Sequence, residues 1–166
     1  DDIGLGGASA AYFVMDDELQ QRLLVEPHVM ISSDGSPTGH HPRGHGAFAR
    51  VISEFVRKRR ALSLEEAVRK MTGLTAATIG LDRVQRGRPS EGWAADVLVF
   101  DPEAVQDRAT YEEPHRLATG FSYVIVNGQI VREGDTVGEV RAGRVLRREE
   151  TSLDRKPQAL TRLYTS

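Results

Sequence analysis

Apolar positions follow a helical period in the first half of this chain and a strand period in the second. Asp16 is placed as an N-cap, with Asp17 and Glu18 in the positive first turn; Leu19, Leu23 and Leu24 then recur at helical spacing until Pro27 stops the run. Ala8 to Met15, before that helix, is small and apolar and reads as a buried strand or the entry to one. Val29 to Ser32, after it, reads as the next strand. Strand, helix and strand in this order are the rhythm of a parallel sheet. From Gly46 the pattern is helical again, with Phe48, Val51, Ile52, Phe55 and Val56 as its apolar stripe. Arg57, Lys58, Arg59 and Arg60 crowd the end, where cations suit the helix dipole, and read as a solvated helix end rather than a binding patch. Ser63 and Glu66 form a capping-box pair for a helix to about Met71, and Thr72 opens a short helix that Gly80 stops.

After Gly80 the period changes. Gly87 to Gly92 is a turn-rich connection, Ala95 to Phe100 is strand-like, and Asp101-Pro102 ends it. Residues 103–120 are polar and read as irregular. Phe121 to Val126 is a strand, Asn127-Gly128 a hairpin turn and nothing more, and Gln129 to Val131 the partner strand. Arg141 to Arg147 is expected to close the sheet. The charged last twenty residues look like an arm that needs a docking surface. Helices first and short strands second imply an α/β chain with two structural layers.

Composition narrows the functional classes. A length of 166 residues allows one domain or a piece of something larger, and 39% hydrophobic content is modest enough that a partner surface is expected to complete the core. With 22 basic and 24 acidic residues, a net charge of −2 argues against a nucleic-acid partner. The chain has no cysteine, which excludes disulfides and thiolate metal sites. No apolar run has the length of a membrane span, and Asp1 to Gly7 lacks the regions of a signal peptide, so the expected location is a reducing cytoplasm. The acidic, glycine-rich opening reads as though cut from the middle of a longer chain.

The candidate chemistry lies where the second apolar run ends. Val29-Met30-Ile31-Ser32-Ser33-Asp34-Gly35-Ser36-Pro37 places a carboxylate at the carboxyl end of the expected strand, where α/β barrels keep their reactive groups. His41-Pro42-Arg43 follows on the same loop. Asp34 is a proton-transfer candidate or simply part of a good turn. Arg43 is suited to an anionic substrate group, or to a structural ion pair that holds the loop. His41, set before proline, reads as orienting Arg43 or the loop, or as contacting ligand. His40, His41 and His45 are spaced by one and four with Pro42 between, which is not a helical pair and disfavours an independent metal site; His40 and His45 read as surface or pocket-lining residues.

Several segments carry a family resemblance: Gly7 to Met15, Val29 to Gly35, His41-Pro42-Arg43, Leu64 to Gly73 with its Arg69-Lys70-Met71-Thr72-Gly73, Ala95 to Asp101, Val126-Asn127-Gly128 and Arg141 to Leu146. In this order they resemble the C-terminal part of the N-acyl-D-amino-acid deacylases (D-aminoacylases) of the amidohydrolase superfamily. The resemblance implies an α/β fold made of the C-terminal portion of a metal-dependent (β/α)8 barrel hydrolase plus part of a small β-sandwich domain. Residues 1–80 would be the last strand–helix units of the barrel, 81–148 a segment of the small β-domain and 149–166 a C-terminal arm. Asp96 would be structural.

The implied reaction hydrolyses the amide of an N-acyl-D-amino acid, with zinc as cofactor. The resemblance makes Asp34 the catalytic residue, with Arg43 and His41 binding substrate. The family's main zinc ligands lie on segments this chain lacks, and Asp34 is the one residue here that could also reach the metal. The implied partners are the small-molecule substrate and the missing N-terminal part of the enzyme or another chain, with no nucleic acid and no membrane. On its own the chain is expected to be inactive. Two other readings stand beside this one: a dihydroorotase-like or other cyclic amidase, which the His-Pro-Arg loop disfavours, and a non-catalytic fragment serving assembly.

Overall fold

The computed structural model describes residues 14–36 and 38–147. Most of the strand expected over Ala8 to Met15, and the arm over 149–166, fall outside them. Helix α1 (Asp17–Val25) starts where the N-cap predicts, with the Asp16 carboxylate accepting the Leu19 N–H at 2.8 Å. Of its apolar stripe only Leu24 packs on the core, while Leu19, Leu23 and Val25 stay exposed.

Val29 to Ser32 does not form a paired strand. A strand is a property of a ladder, and no described strand lies alongside this one. Its cross-segment backbone bond runs from the Ile31 N–H to the Lys70 carbonyl, at 3.2 Å.

Helix α2 (Arg43–Arg50) begins earlier than Gly46 because Pro42 sits at its N-cap with φ already at −59°. It runs on as a π-helix (Val51–Lys58), whose wider turn buries Val51, Ile52, Ser53 and Phe55. Phe48 is no core residue; it is exposed and lines a groove toward Leu98, Leu117 and Phe121. Helix α3 (Leu64–Met71) is capped by Ser63, whose hydroxyl accepts the Glu66 N–H at 3.1 Å. Only half of the capping box forms, since the Glu66 carboxylate takes Arg69 at 2.7 Å instead. Helix α4 (Gly73–Ile79) ends at Gly80, which is left-handed with φ 80°. Thr72 does not cap it, because its hydroxyl donates back to the Val68 carbonyl at 2.7 Å.

The second half is an antiparallel meander of β1 (Val97–Phe100), β2 (Phe121–Val126), β3 (Gln129–Glu133) and β4 (Thr136–Val137). Val97 faces Ile125 and Phe100 faces Phe121, with a bulge between Val99 and Phe100. Asn127 and Gly128 make the hairpin turn with φ of 48° and 79°. Asn127 is more than a turn residue. Its side-chain oxygen and the Asp96 carboxylate share the buried Arg86, its N–H donates to Asp96 at 2.8 Å, and its amide donates to the Ala142 carbonyl at 2.6 Å. Asp96 is structural, as expected. With Ala142 held there, Arg141 to Arg147 does not close the sheet, and the short β4 lies at its edge.

Two apolar clusters hold these layers. Ile31, Val51, Leu62 and Ala67 form one; Ala49, Ile52, Val105 and Ala118 form the other; Met71 packs against both. The basic helix end divides. Arg57 is half-buried and donates to the carbonyls of Pro102 and Val105 at 2.9 and 2.8 Å, so it is a clamp and not a solvated charge. Arg59 and Lys58 close on Glu54, and these hydrogen bonds, Arg59's foremost, hold its carboxyl below the usual carboxylate range. No described helix is long and apolar enough to cross a membrane.

Gly120 makes this docking possible. It has φ +88°, and a Cβ there would lie 2.5 Å from the backbone of Ala104 and Val105. Gly120→Ala is expected to destabilise the protein by at least about 2 kcal/mol through overlap and strain. Gly143→Ala, where a Cβ meets nothing within 4 Å, should change stability little. Denaturant unfolding of the two variants checks the contrast, and equal midpoints would contradict it.

Candidate active site

The loop after Ile31 is built by hydroxyls and glycines. Ser32 Oγ accepts the Asp34 N–H at 3.4 Å and Ser33 Oγ accepts the Gly35 N–H at 3.2 Å, which turns the chain sharply. Asp34 is left-handed at φ 46°, a conformation aspartate tolerates better than most residues. The loop then crosses itself. A Cβ on Gly35 would stand 2.7 Å from the Gly44 Cα, so the close approach requires glycine.

That crossing returns Arg43 to Asp34. Arg43 Nε donates to the Asp34 carbonyl at 2.9 Å, and Nη2 pairs with its carboxylate at 2.9 Å. His41 completes the group. Its Nδ1 accepts the Arg43 N–H at 3.1 Å, which leaves the proton of the neutral ring on Nε2, facing the Tyr111 hydroxyl at 3.2 Å. The structure therefore brings Asp34, His41 and Arg43 together, with the ion pair as the contact Arg43 makes here. His115 Nε2 donates to the Gly39 carbonyl at 3.0 Å, and the His40 and His45 rings each lie 5.4 Å from its ring.

Three residues around this loop were not anticipated. Tyr111 and His115 come from the connection between β1 and β2, far away in sequence, and no local pattern marks them. Lys70 is fully buried on α3, with Nζ donating to the Glu26 carbonyl and to that of Val29 at 3.0 Å. Burial pushes its pKa below the ordinary lysine value. A signal did exist for Lys70, because it sits three residues after Ala67 on the buried face of α3.

The sequence pattern of the amidohydrolase family matches residues 21–132. The chain belongs to that family. Within it, the chain is 46% identical over 143 residues to D-aminoacylase of Alcaligenes xylosoxydans xylosoxydans, a match covering 85% of this chain and 29% of that one. A crystal structure of a D-aminoacylase, described by its binuclear metal centre, superposes with a TM-score of 0.75 at 46% identity, over 81% of this chain and 28% of the other. The N-acyl-D-glutamate deacylase of Bordetella bronchiseptica was solved with zinc and a phosphonate mimic of the tetrahedral intermediate. It matches with a TM-score of 0.68 at 43% identity, over 72% of this chain and 25% of its own. The chain thus spans less than a third of the length of these amidohydrolases.

The solved amidohydrolases are metal enzymes. Among the described residues, however, no three histidine or carboxylate side chains are grouped to hold a metal. Asp34 is turned toward an arginine, and the histidines are spread over ring contacts and carbonyls. The donor set does not fit a metal centre by itself.

The Asp34–Arg43 pair organises the loop more than it stabilises the fold. Both side chains are substantially exposed, at 85% and 47%. Arg43→Lys should therefore change the unfolding free energy by less than about 1 kcal/mol, the range of surface ion pairs. Chemical denaturation checks this, and a larger loss would mean that the loop supports the core.

Proposed function

We propose that this chain supplies the proton-transfer and substrate-positioning residues of an enzyme that hydrolyses the amide bond of N-acyl-D-amino acids. The observation that carries the reading is the joining of Asp34 to Arg43 and His41 on one pinched loop, in a chain 46% identical to a D-aminoacylase. In this reading, residues 1–80 are the last units of a (β/α)8 barrel, 81–148 belong to a small β-domain and 149–166 are an arm.

Water attacks the amide carbonyl. Asp34 takes its proton and returns it to the leaving nitrogen, so that a carboxylate and a free D-amino acid are released. Asp34 suits both transfers because its carboxylate is open to solvent on one side and held by a cation on the other. Arg43 uses its Nε–Nη2 edge on Asp34, which leaves its Nη1 side for the substrate's α-carboxylate. His41 holds the Arg43 backbone and, through Tyr111, ties the loop to the connection before β2.

The zinc would be held by segments beyond the described residues. Those segments would also cover the apolar side chains of Val14, Met15, Leu19 and Leu23, all exposed here.

In the metal-loaded enzyme, Asp34→Asn should lower kcat on N-acetyl-D-methionine by about 10²–10⁴-fold with the metal content unchanged. Arg43→Lys should act chiefly on KM. Steady-state kinetics with metal analysis decide the matter: wild-type kcat in Asp34→Asn would remove the assignment. The isolated chain should be inactive and free of zinc, and should gain activity when the rest of the enzyme is supplied. No response to that partner would favour a non-catalytic assembly role.

A further inference from the structure

We propose that Lys70 is a positioning residue for Asp34, clamping the backbone of residues 26–31 so that the aspartate loop starts from one fixed place. The proposal rests on the reading of Asp34 given above.

Lys70 has no exposed surface, and the partners of its buried nitrogen are backbone carbonyls, those of Glu26 and Val29. Glu66 and Glu26 offset part of the cost of burying this charge, desolvation outweighs them, and an apolar side chain of the same length would avoid that cost. Packing therefore gives no reason for a lysine here. The two carbonyls do. They belong to the segment leading to Asp34, for which no described strand supplies a ladder, and the Lys70 ammonium gives them the donors that a neighbouring strand would otherwise provide.

The same residue holds the segment a third time. The Lys70 carbonyl accepts the Ile31 N–H at 3.2 Å and is itself fixed by the Thr75 hydroxyl at 2.9 Å. Its neighbour Arg69 adds a tether on the Pro27 carbonyl at 2.8 Å. Positions 26, 27, 29 and 31 are thus tied to α3, and Ile31 is packed into the first apolar cluster. Asp34 follows three residues later, through a turn whose direction is inherited from Ile31. A shift of the segment moves the carboxylate by a similar amount, and misplacement by about 1 Å can cost about 10²-fold in rate.

The test uses the metal-loaded enzyme and N-acetyl-D-methionine. Lys70→Met keeps the length of the stem and removes the donors. It should lower kcat about 10–100-fold, leave KM within about twofold, leave the metal content intact, and speed hydrogen exchange at the Ile31 amide. The decisive measurement is the double variant with Asp34→Asn. If Lys70 acts through Asp34, adding Lys70→Met to Asp34→Asn lowers kcat no further. Multiplicative losses, or wild-type kcat in Lys70→Met, overturn the proposal while Asp34 keeps its role. An active Asp34→Asn enzyme overturns the functional reading instead. Should Lys70→Met fail to fold, Arg69→Met, at an exposed position, removes the Pro27 tether of the same clamp. A few-fold fall in kcat that vanishes in the Asp34→Asn background supports the proposal, and an unchanged kcat rejects it.

Discussion

Arg57 joins the helical half of the chain to the sheet. Its planar guanidinium donates to the carbonyls of Pro102 and Val105 and to the side-chain oxygen of Gln106 together, which fixes the turn they belong to. With the turn fixed, Val105 is fully buried beside Ala49 and Ile52, and the backbone of residues 104 and 105 lies directly over Gly120. Ser53 adds a hydrogen bond to Asp107 at 2.8 Å. The connection that follows then has a defined course, which is how Tyr111 and His115 reach the Asp34 loop.

That loop is held from two sides for different reasons. From below, the α3 cations fix the segment entering it. From above, the β1–β2 connection contacts His41 and Gly39. Between them the loop's own pairing, Asp34 with Arg43, is exposed and energetically slight, so its groups can exchange partners at little cost. Rigid surroundings with a weakly paired centre suit the proton-transfer role proposed for Asp34. Membership of the amidohydrolase family agrees with this division, since the described residues offer a carboxylate and a cation but no set of metal ligands.

How far each feature could be read in advance depends on how local its cause is. The Asp16 and Ser63 caps, the Gly80 stop and the Asn127-Gly128 turn were all legible, because each is decided by atoms within a few residues of one another. The start of α2 lies before the apolar stripe that marks the helix in the sequence, because Pro42 at its N-cap has a φ that already suits a helix. Val29 to Ser32 was expected as a strand from its apolar run, yet a ladder needs a neighbour that a run cannot reveal. Arg141 to Arg147 shows the same limit in reverse: Asn127, a local turn former, holds Ala142 and draws the segment away from the sheet edge.

In the candidate site, residue order brings out Asp34, His41 and Arg43 as candidates, but by residue type alone an aspartate before glycine reads equally as part of a turn, and only the family resemblance implies a role for each. Their mutual contact was not legible, since it depends on two glycine backbones meeting nine residues apart. Lys70 and Arg57 show why folding had to decide the remainder. A cation in a string of letters looks solvated, and whether it instead ends against buried carbonyls depends on which distant backbone packs over it.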